Sequence, residues 1–353
     1  MTIRLDNPFL SKLRMTTPII QAPMTGYVTE EMVVAVSNAG GLGTLPGTLL
    51  SPQAIIESMA TLRQRTTGPI AMNFLAHPAV VPDPDRHAIW RSRLAPFFDE
   101  LGLDQGKPSP GMPVPVFGDV QCKALEQARP DVVSFHLGLP DDLFVARLKT
   151  IGAMIISSAT TVAEARWLEE RGCDAIIAQG LEAGGHRGSF LSTDLAEQCG
   201  TMTLVPQIVD AVRVPVIAAG GIGDAQGVQA ALGLGASAVQ IGTAFLFCSE
   251  AQVPPPYREA LCKARSANTV VTSIYSGRPA RVIANRFTRV LDDFQKDVVD
   301  FPFGIAAVAP LVSESLKRGS SEIAPLWAGQ GVGLGQSKGA GELVAHLSAA
   351  VPA

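Results

Sequence analysis

Hydrophobic residues along this chain fall into short runs, each of which ends in glycine, proline or a polar residue. Eight such runs lie at residues 18–24, 41–47, 69–76, 132–138, 153–160, 174–180, 214–221 and 238–245. Most of them are almost continuously apolar, which is typical of strands buried on both faces of a parallel sheet. The pattern therefore predicts eight buried strands.

Segments with helical character separate several of these strands. Helices are predicted at residues 29–40, 51–65, 161–172 and 224–236. Ser51 followed by Pro52 is a typical helix start, and Thr161 with Glu164 has the spacing of a capping box. Strands that alternate with helices indicate parallel β/α units, and eight of them favour an α/β fold of the (β/α)8 TIM-barrel type over a doubly wound sheet.

Two segments interrupt the repeat. Residues 77–131 form a long insertion after the third strand, for which we expect a helix near 86–104 and an irregular or extended piece after it. Residues 251–353 follow the last strand, and we expect a helical extension that covers the top of the barrel. The sequence thus predicts a barrel domain over residues 1–250, with this insertion, and a C-terminal extension.

Composition and charge exclude several classes of protein. Hydrophobic residues make up 47% of the 353 residues and the formal net charge is −4, without a basic block. Disorder, nucleic-acid binding and binding to an anionic membrane are therefore disfavoured. No apolar run reaches transmembrane length and the N-terminus lacks a signal-peptide core, so we expect a cytoplasmic protein. The five cysteines form no C-x-x-C pair, which argues against a disulfide framework and a metal site.

The residues that end the strands should line one pocket, because active sites of such barrels lie at the carboxyl ends of the strands. These residues are Ala22, Pro23, Met24, Asn73, His136, Ser158, Gln179, Gly180, Gly220, Gly221, Gly242 and Thr243. Almost all are small or neutral and polar. Such a site suits a large, flat, mostly neutral group that is held by backbone and amide hydrogen bonds.

The last two strand ends suggest a phosphate site. Gly220-Gly221 follows the seventh strand and Gly242-Thr243 the eighth, where barrels of this type often bind phosphate through backbone amides. The alternative is a pair of tight turns that pack helices against strands. The glycines at 221, 223 and 227 lack the spacing of a dinucleotide-binding fingerprint.

His186 lies in the glycine-rich stretch AQGLEAGGHRGSF, directly after the sixth strand. Catalytic groups concentrate on loops that a rigid strand positions. From these residues alone, an exposed turn that happens to hold a histidine is equally compatible. For Glu182 we favour a loop-fixing hydrogen bond, and Arg278 and Arg281 either reach an anion or are solvated or ion-paired. His77 and His87 are expected at the surface.

Several motifs together resemble the nitronate monooxygenase family, class I, formerly called 2-nitropropane dioxygenases. The motifs are PIIQAPM, AVSNAGGLG, SFHLG, AQGLEAGGHRG, AAGGI, GASAVQIGTAF, SGRPAR and WAGQG, in this order from about residue 18 to 331. GLEAGGHRG is the most specific of them. The resemblance implies bound FMN and the oxidation of alkyl nitronates by molecular oxygen to a carbonyl compound and nitrite, through one-electron flavin chemistry.

The resemblance also implies roles for individual residues. His186 is the expected active-site base or charge stabiliser, with His136 beside it. The residues expected to contact the cofactor are Ala22, Pro23, Met24, Asn73, Gln179, Gly180, Gly185, Gly220, Gly221, Gln240, Gly242 and Thr243. The chain departs from the family pattern around Phe301 and Ile305, where relatives carry tyrosines and a lysine. This difference concerns the substrate more than the cofactor.

Other functions stay open from the residues alone. One is an FMN-dependent NAD(P)H:quinone or enoyl reductase on the same barrel. A remoter one is a non-redox phosphate-binding barrel enzyme, for which we find no lysine or carboxylate at a strand end. A binding protein without activity is disfavoured because His136 and His186 are both present. The expected partners are a small nitronate and oxygen, and the chain is expected to be a monomer or a homodimer.

Overall fold

The computed structural model describes residues 7–106 and 114–349. Its strands are β1 (Ile19–Gln21), β2 (Gly43–Pro46), β3 (Ile70–Leu75), β4 (Val132–His136), β5 (Met154–Ala159), β6 (Ala175–Gln179), β7 (Gly185–His186), β8 (Val216–Ala219), β9 (Ala238–Ile241), β10 (Thr269–Thr272) and β11 (Ala280–Ile283). Eight of these strands form one parallel sheet in the order β1-β9-β8-β6-β5-β4-β3-β2. All eight lie inside the predicted apolar runs.

The sheet closes between its first and last strands. The amide of Leu42 donates to the carbonyl of Ile19 at 2.9 Å, and the amide of Gln21 donates to that of Leu42 at 3.0 Å. A parallel bridge between Ile20 and Leu42 joins β1 to the residue just before β2. The predicted (β/α)8 TIM barrel is therefore confirmed.

Helices surround the barrel and continue beyond it. They are α1 (Pro8–Leu13), α2 (Glu30–Asn38), α3 (Pro52–Arg65), α4 (Pro84–Leu101), α5 (Asp119–Ala128), α6 (Asp142–Thr150), α7 (Val162–Glu170), α8 (Thr201–Ala211), α9 (Ala225–Gly233), α10 (Pro255–Lys263), α11 (Arg286–Val290), α12 (Phe303–Lys317) and α13 (Ala340–Ser348). The four predicted helices are confirmed as α2, α3, α7 and α9. Their N-cap residues, including Ser51 and Thr161, each accept a hydrogen bond from the first turn.

Alternate residues of the strands face opposite sides, as the two-residue period of a strand requires. Ile19 packs outward among the helices, whereas Ile20 points into the barrel with residues such as Ile156 and Ile217. The inner core also contains Phe9 from α1, which is 1% exposed. Burial of a phenylalanine side chain stabilises a fold by about 1.5–3 kcal/mol. Helix α1 therefore closes the amino end of the barrel and leaves the carboxyl ends of the strands as the place for a cavity.

The insertion provides the predicted helix as α4, which packs against α12 through a cluster containing Trp90, Leu94 and Leu311. Helix α5 was not predicted, and it packs against α3 and α6 on the barrel wall. The irregular piece predicted between these helices falls partly on residues 107–113, which lie outside the described residues.

The C-terminal extension differs from the expected helical cover in two respects. Strands β10 and β11 pair antiparallel, and β11 also pairs with β7, so that Ala280 lies opposite His186 and Arg281 opposite Gly185. Helix α13 packs against α2 and α9 on the outer wall of the barrel. Only part of the extension, including α12, lies over the carboxyl ends of the strands.

Candidate active site

A cavity of about 560 Å³ opens at the carboxyl ends of the barrel strands, within the size range of small-molecule and cofactor sites. Except for Gly180, all of the predicted catalytic and cofactor-binding residues line it. The amide of Gly180 donates to the carbonyl of Ala219 at 2.9 Å. A Cβ atom on Gly180 would lie 2.1 Å from Oγ1 of Thr201. Gly180 is therefore part of the packing behind the cavity wall.

The loop that carries His186 is fixed by side chains beneath it. The amide of Gln179 donates from Nε2 to the carbonyl of His186 at 3.0 Å, and its Oε1 accepts from the amide of Gly188 at 2.7 Å. The buried guanidinium of Arg187 donates to the carbonyls of Gln179 at 2.7 Å and Gly180 at 2.8 Å. The histidine loop is thus an ordered part of the cavity wall, and the exposed-turn interpretation is wrong.

Gly188 and Gly185 of this loop are glycines for different structural reasons. A Cβ atom on Gly188 would lie 2.9 Å from Cε1 of His136 and 2.9 Å from Cβ of Ser158, so a side chain there would displace the histidine. Gly185 has a φ of +73°, which favours glycine, and no neighbouring atom would touch an added Cβ. The loop therefore packs closely on His136 at Gly188 and faces open space at Gly185.

Two acids, the buried Glu164 and the half-buried Glu182, hold the surrounding loops. The carboxylate of Glu164 accepts hydrogen bonds from Thr160 and from the amides of Phe190 at 2.6 Å and Leu191 at 3.1 Å. It does not complete the capping box with Thr161 that the spacing predicted. Glu182 accepts from the amide of Thr201 at 2.8 Å and from its hydroxyl at 2.9 Å, which confirms the loop-fixing prediction.

His136 uses both of its ring nitrogens within the protein. Nε2 lies 3.1 Å from the carbonyl oxygen of His186, and because a carbonyl only accepts, the proton is on Nε2. Nδ1 then accepts from the hydroxyl of Ser158 at 3.0 Å. Burial lowers the pKa of His136 to about 4, and Arg278 and Arg187 act in the same direction. His136 is therefore neutral at pH 7 and supports the backbone of His186.

His186 has a different environment. Its Nε2 lies 2.8 Å from Oγ of Ser276, while no residue that the structure describes is hydrogen-bonded to Nδ1. The ring packs against Trp327 and Phe301, with centroid distances of 5.2 and 5.6 Å. Burial lowers the pKa of His186 to about 3, with further contributions from His136 and Arg278. A neutral imidazole thus faces the cavity with one free nitrogen.

The arginines near the cavity are used as structural donors. Arg278 donates to the carbonyl of Ser189, and Arg281 donates from Nε to the carbonyl of Leu181 at 2.9 Å. Among the described residues, no Asp, Glu, Lys or Arg side chain lines the cavity. Arg281 is 8% exposed and forms no ion pair with a described residue, so the solvated or ion-paired alternative is wrong for it, whereas contact with an anion stays a prediction.

The wall opposite the barrel is apolar. It contains Phe301 together with Ile305, Val308, Ala309 and Val312 of α12. Phe301 packs edge-on against His77, whose ring centroid lies 5.2 Å away. His77 is only 4% exposed, so its predicted surface position is wrong. His87 likewise packs on Phe303, with a centroid distance of 5.6 Å.

The part of the cavity wall formed by Gly220, Gly221, Gly242 and Thr243 has the features of an anion site. Gly220 and Gly221 both have positive φ angles, of +116° and +73°. No acceptor within the described residues engages the backbone amides of Gly221 and Gly242. Oγ1 of Thr243 accepts from the amide of Gly329 at 2.9 Å, which leaves the hydroxyl proton available. A phosphate fits here without a cation.

Sequence reasoning missed several residues of this site. Ser276 and Trp327 lie in the motifs SGRPAR and WAGQG, but nothing in these motifs shows that they meet at His186. The apolar wall of α12 was recognised only around Phe301 and Ile305, although the spacing of 305, 308, 309 and 312 is that of one helix face. Within the described parts of the chain, no group of three potential metal ligands occurs and no helix is suited to cross a bilayer.

A barrel with a neutral cavity at the carboxyl ends of its strands, lined by glycine-rich strand ends and two histidines, defines the class of barrel enzymes. A family model described as nitronate monooxygenase matches residues 7–350. The chain therefore belongs to the nitronate monooxygenase family and is an oxidoreductase.

Individual relatives agree with this assignment. The chain is similar to the nitronate monooxygenase of Pseudomonas aeruginosa, with 39% identity over 96% of this chain and 97% of that protein. It is 38% identical to the nitronate monooxygenase of Paraburkholderia phytofirmans, over 96% and 93% of the two chains. Among solved structures, nitroalkane oxidase from Streptomyces ansochromogenes matches with a TM-score of 0.89 and 34% identity, over 97% of both chains. FabK from Thermotoga maritima matches with a TM-score of 0.73 and 28% identity, over 98% of this chain and 95% of that one.

Proposed function

We propose that the protein binds FMN without a covalent bond and oxidises alkyl nitronates with molecular oxygen, giving a carbonyl compound and nitrite. Membership of a family that is flavin-dependent in general supports this proposal. The observation that carries it is the neutral cavity whose wall presents both a free imidazole nitrogen and unpaired backbone amides.

The residues that line the cavity fit a flavin mononucleotide. Gly220, Gly221, Gly242 and Thr243 would hold the phosphate, and Ala22, Pro23 and Met24 would contact the ring. The side chain of Gln240 lines the cavity and is available for a polar contact.

Two further features bear on the choice of cofactor. Gln179 holds the histidine loop with both ends of its side-chain amide. It would therefore affect the cofactor through the position of that loop and not by direct contact. Gly329 and Gly331 pack over the phosphate end, since a Cβ on Gly331 would lie 3.0 Å from the carbonyl oxygen of Gly221. This closure supports a cofactor that ends at one phosphate.

A bound flavin would take electrons from the nitronate and pass them to oxygen. The chain's own contribution is to bind and orient the anion. A neutral His186 can donate a hydrogen bond from Nδ1 to a nitronate oxygen when Ser276 donates to Nε2. The aromatic contacts of Phe301 and Trp327 keep the imidazole oriented and exclude water from it.

The low pKa of His186 argues against its second expected role. General bases work best when their pKa lies near the operating pH. An imidazole whose pKa is lowered to about 3 is a weak base towards the carbon-bound proton of a nitroalkane. We therefore propose that the preformed nitronate is the substrate and that His186 stabilises its charge.

The first test is the visible spectrum of the purified protein, followed by release of the cofactor with heat or acid. We expect FMN, at one per chain. Oxygen uptake and nitrite formation are then measured with the nitronate of nitroethane. Rapid anaerobic reduction of the flavin by NAD(P)H, without nitronate turnover, would replace this proposal by the reductase alternative. A colourless protein that does not take up FMN would contradict it.

A further inference from the structure

We propose that α12 makes this enzyme selective for nitronates with uncharged alkyl chains and against nitronates that carry a carboxylate. This inference rests on the proposed function and specifies its substrate class. The relevant surface, here called the α12 wall, consists of Phe301, Ile305, Val308, Ala309 and Val312.

The α12 wall is a continuous apolar face. Its four helical members lie at positions i, i+3, i+4 and i+7, which places them on one side of a helix. Ser313 of α12 also lines the cavity, and it is polar and exposed. A chain that extends along this face would meet hydrocarbon for about two turns of helix.

The wall is held in place from behind. Leu311 of α12 is fully buried in a cluster with Trp90 and Leu94 of α4. Phe301 is fixed from two sides, by His77 at 5.2 Å and by His186 at 5.6 Å between ring centroids. These contacts oppose a movement of the wall that would admit water around a charged group.

Electrostatics favour the same selectivity. In the described part of the chain, every residue that lines the cavity lacks a full charge at pH 7. Arg278 and Arg281 donate to the carbonyls of Ser189 and Leu181, and although the buried Nε of Arg278 has no partner among the described residues, neither arginine lines the cavity. A substrate carboxylate would therefore lose its hydration without gaining a partner, which is unfavourable.

The wild-type enzyme provides the first measurement. We would compare kcat/KM for the nitronates of nitroethane, 1-nitropropane, 1-nitrobutane and 1-nitropentane with that for the nitronate of 3-nitropropionate. Burial of each methylene should raise kcat/KM about fourfold until the wall is covered. The carboxylate-bearing nitronate should be a poorer substrate than the nitronate of 1-nitrobutane, which has a chain of similar length.

A matched pair of variants on the same helix tests the α12 wall directly. Ala309→Lys places a cation on the wall, whereas Ala306→Lys places it at a position that does not line the cavity. The first variant should gain activity with the carboxylate-bearing nitronate and lose it with the nitronate of 1-nitropentane. The second should keep the wild-type order of substrates. The flavin content of both variants reports whether they fold.

The outcomes separate this inference from the function on which it rests. If none of the nitronates is oxidised, the proposed function fails and the selectivity fails with it. If nitronates are oxidised without dependence on chain length, or the carboxylate-bearing one is preferred, only the role of the α12 wall is overturned. Equal effects of Ala309→Lys and Ala306→Lys would also overturn that role.

Discussion

Nε2 of His186 lies 2.8 Å from Oγ of Ser276, although the two residues are 90 positions apart in the chain. The pairing of β7 with β11 brings them together, because Ala280 lies opposite His186. Oγ of Ser276 also accepts from the amide of Arg278 at 3.3 Å, and the competing carbonyl acceptor of Arg278 lies 3.2 Å away. Because the hydroxyl of Ser276 has one proton, it donates either to Nε2 of His186 or to the carbonyl of Arg278. Donation to Nε2 places the imidazole proton on Nδ1, which the proposed hydrogen bond to the nitronate requires.

Removal of this hydroxyl should therefore weaken nitronate binding. We expect Ser276→Ala to raise KM about 10- to 100-fold, since a hydrogen bond to a charged group contributes about 1.5–3 kcal/mol. The effect should appear mainly in KM, because the charge is already present on the bound substrate. Steady-state kinetics with a preformed nitronate measure it.

Ser276→Thr is the matched control, because it keeps the hydroxyl and should keep most of the affinity. The flavin content should be the same in both variants. An unchanged KM in Ser276→Ala would show that Ser276 does not set the proton position of His186.

The second prediction concerns how turnover depends on the ionisation of His186 and of the substrate. Because burial lowers the pKa of His186 to about 3, its ionisation should not affect turnover between about pH 5 and 8. We expect kcat/KM for a preformed nitronate to show no inflection near pH 6.5, the ordinary pKa of histidine. The neutral nitroalkane should be a much poorer substrate over the same range.

Stopped-flow mixing of nitronate at each pH, before it reprotonates, provides the measurement. Comparable kcat/KM values for nitroethane and its nitronate would show that His186, or another group, removes the proton. An inflection near pH 6.5 that disappears in His186→Asn would show the same.

Much of this fold could be predicted from the sequence, because a strand buried on both faces leaves a continuous apolar run. The end of each run then identifies the rim of the cavity, which explains why residues as distant as Ala22, His136 and Thr243 were predicted to share one site. Helix starts could also be predicted, because the hydroxyls of Ser51 and Thr161 accept hydrogen bonds from backbone amides in the first turn of their own helices. These signals are local, so a single sequence contains them.

The parts that could not be predicted depend on contacts between distant segments. Strand β7 has two residues, too few to show any periodicity, and its pairing with β11 depends on the barrel that lies between them. His77 is buried because Phe301 packs on it, and nothing around His77 in the sequence indicates that contact. The sequence also cannot show that Gly185 lines the cavity and Gly180 does not, because both glycines lie near the same strand end.

The third prediction uses the close packing of Gly188 on His136. In Gly188→Ala, the new methyl group would lie 2.9 Å from Cε1 of His136, so the histidine or the loop must shift. Overpacking of this kind costs about 1–3 kcal/mol of stability. We expect a lower free energy of unfolding and a higher KM, because His136 supports the carbonyl of His186.

Gly185→Ala separates packing from backbone strain. Its φ of +73° makes alanine unfavourable, but the methyl group would contact no neighbour. Because Gly185 itself lines the cavity, its variant is compared with Gly188→Ala only by chemical denaturation of the flavin-free protein. Steady-state kinetics of Gly188→Ala measure KM, and an unchanged KM at a lower stability would mean that His136 is not coupled to the site through Gly188.

The last prediction concerns the stability of the protein in acid. His136 and His186 have pKa values lowered to about 4 and about 3, whereas both titrate near 6.5 in the unfolded chain. Below pH 6.5 the unfolded state therefore binds more protons than the folded state, and the free energy of unfolding must decrease as the pH falls. The contribution is complete above pH 6.5 and is lost progressively down to about pH 4 and below. Denaturant titrations of the flavin-free protein at pH 7, 6, 5 and 4.5 measure this slope, which should be smaller in His136→Gln and in His186→Gln. Equal slopes in the wild type and both variants would show that neither imidazole is kept neutral by the fold.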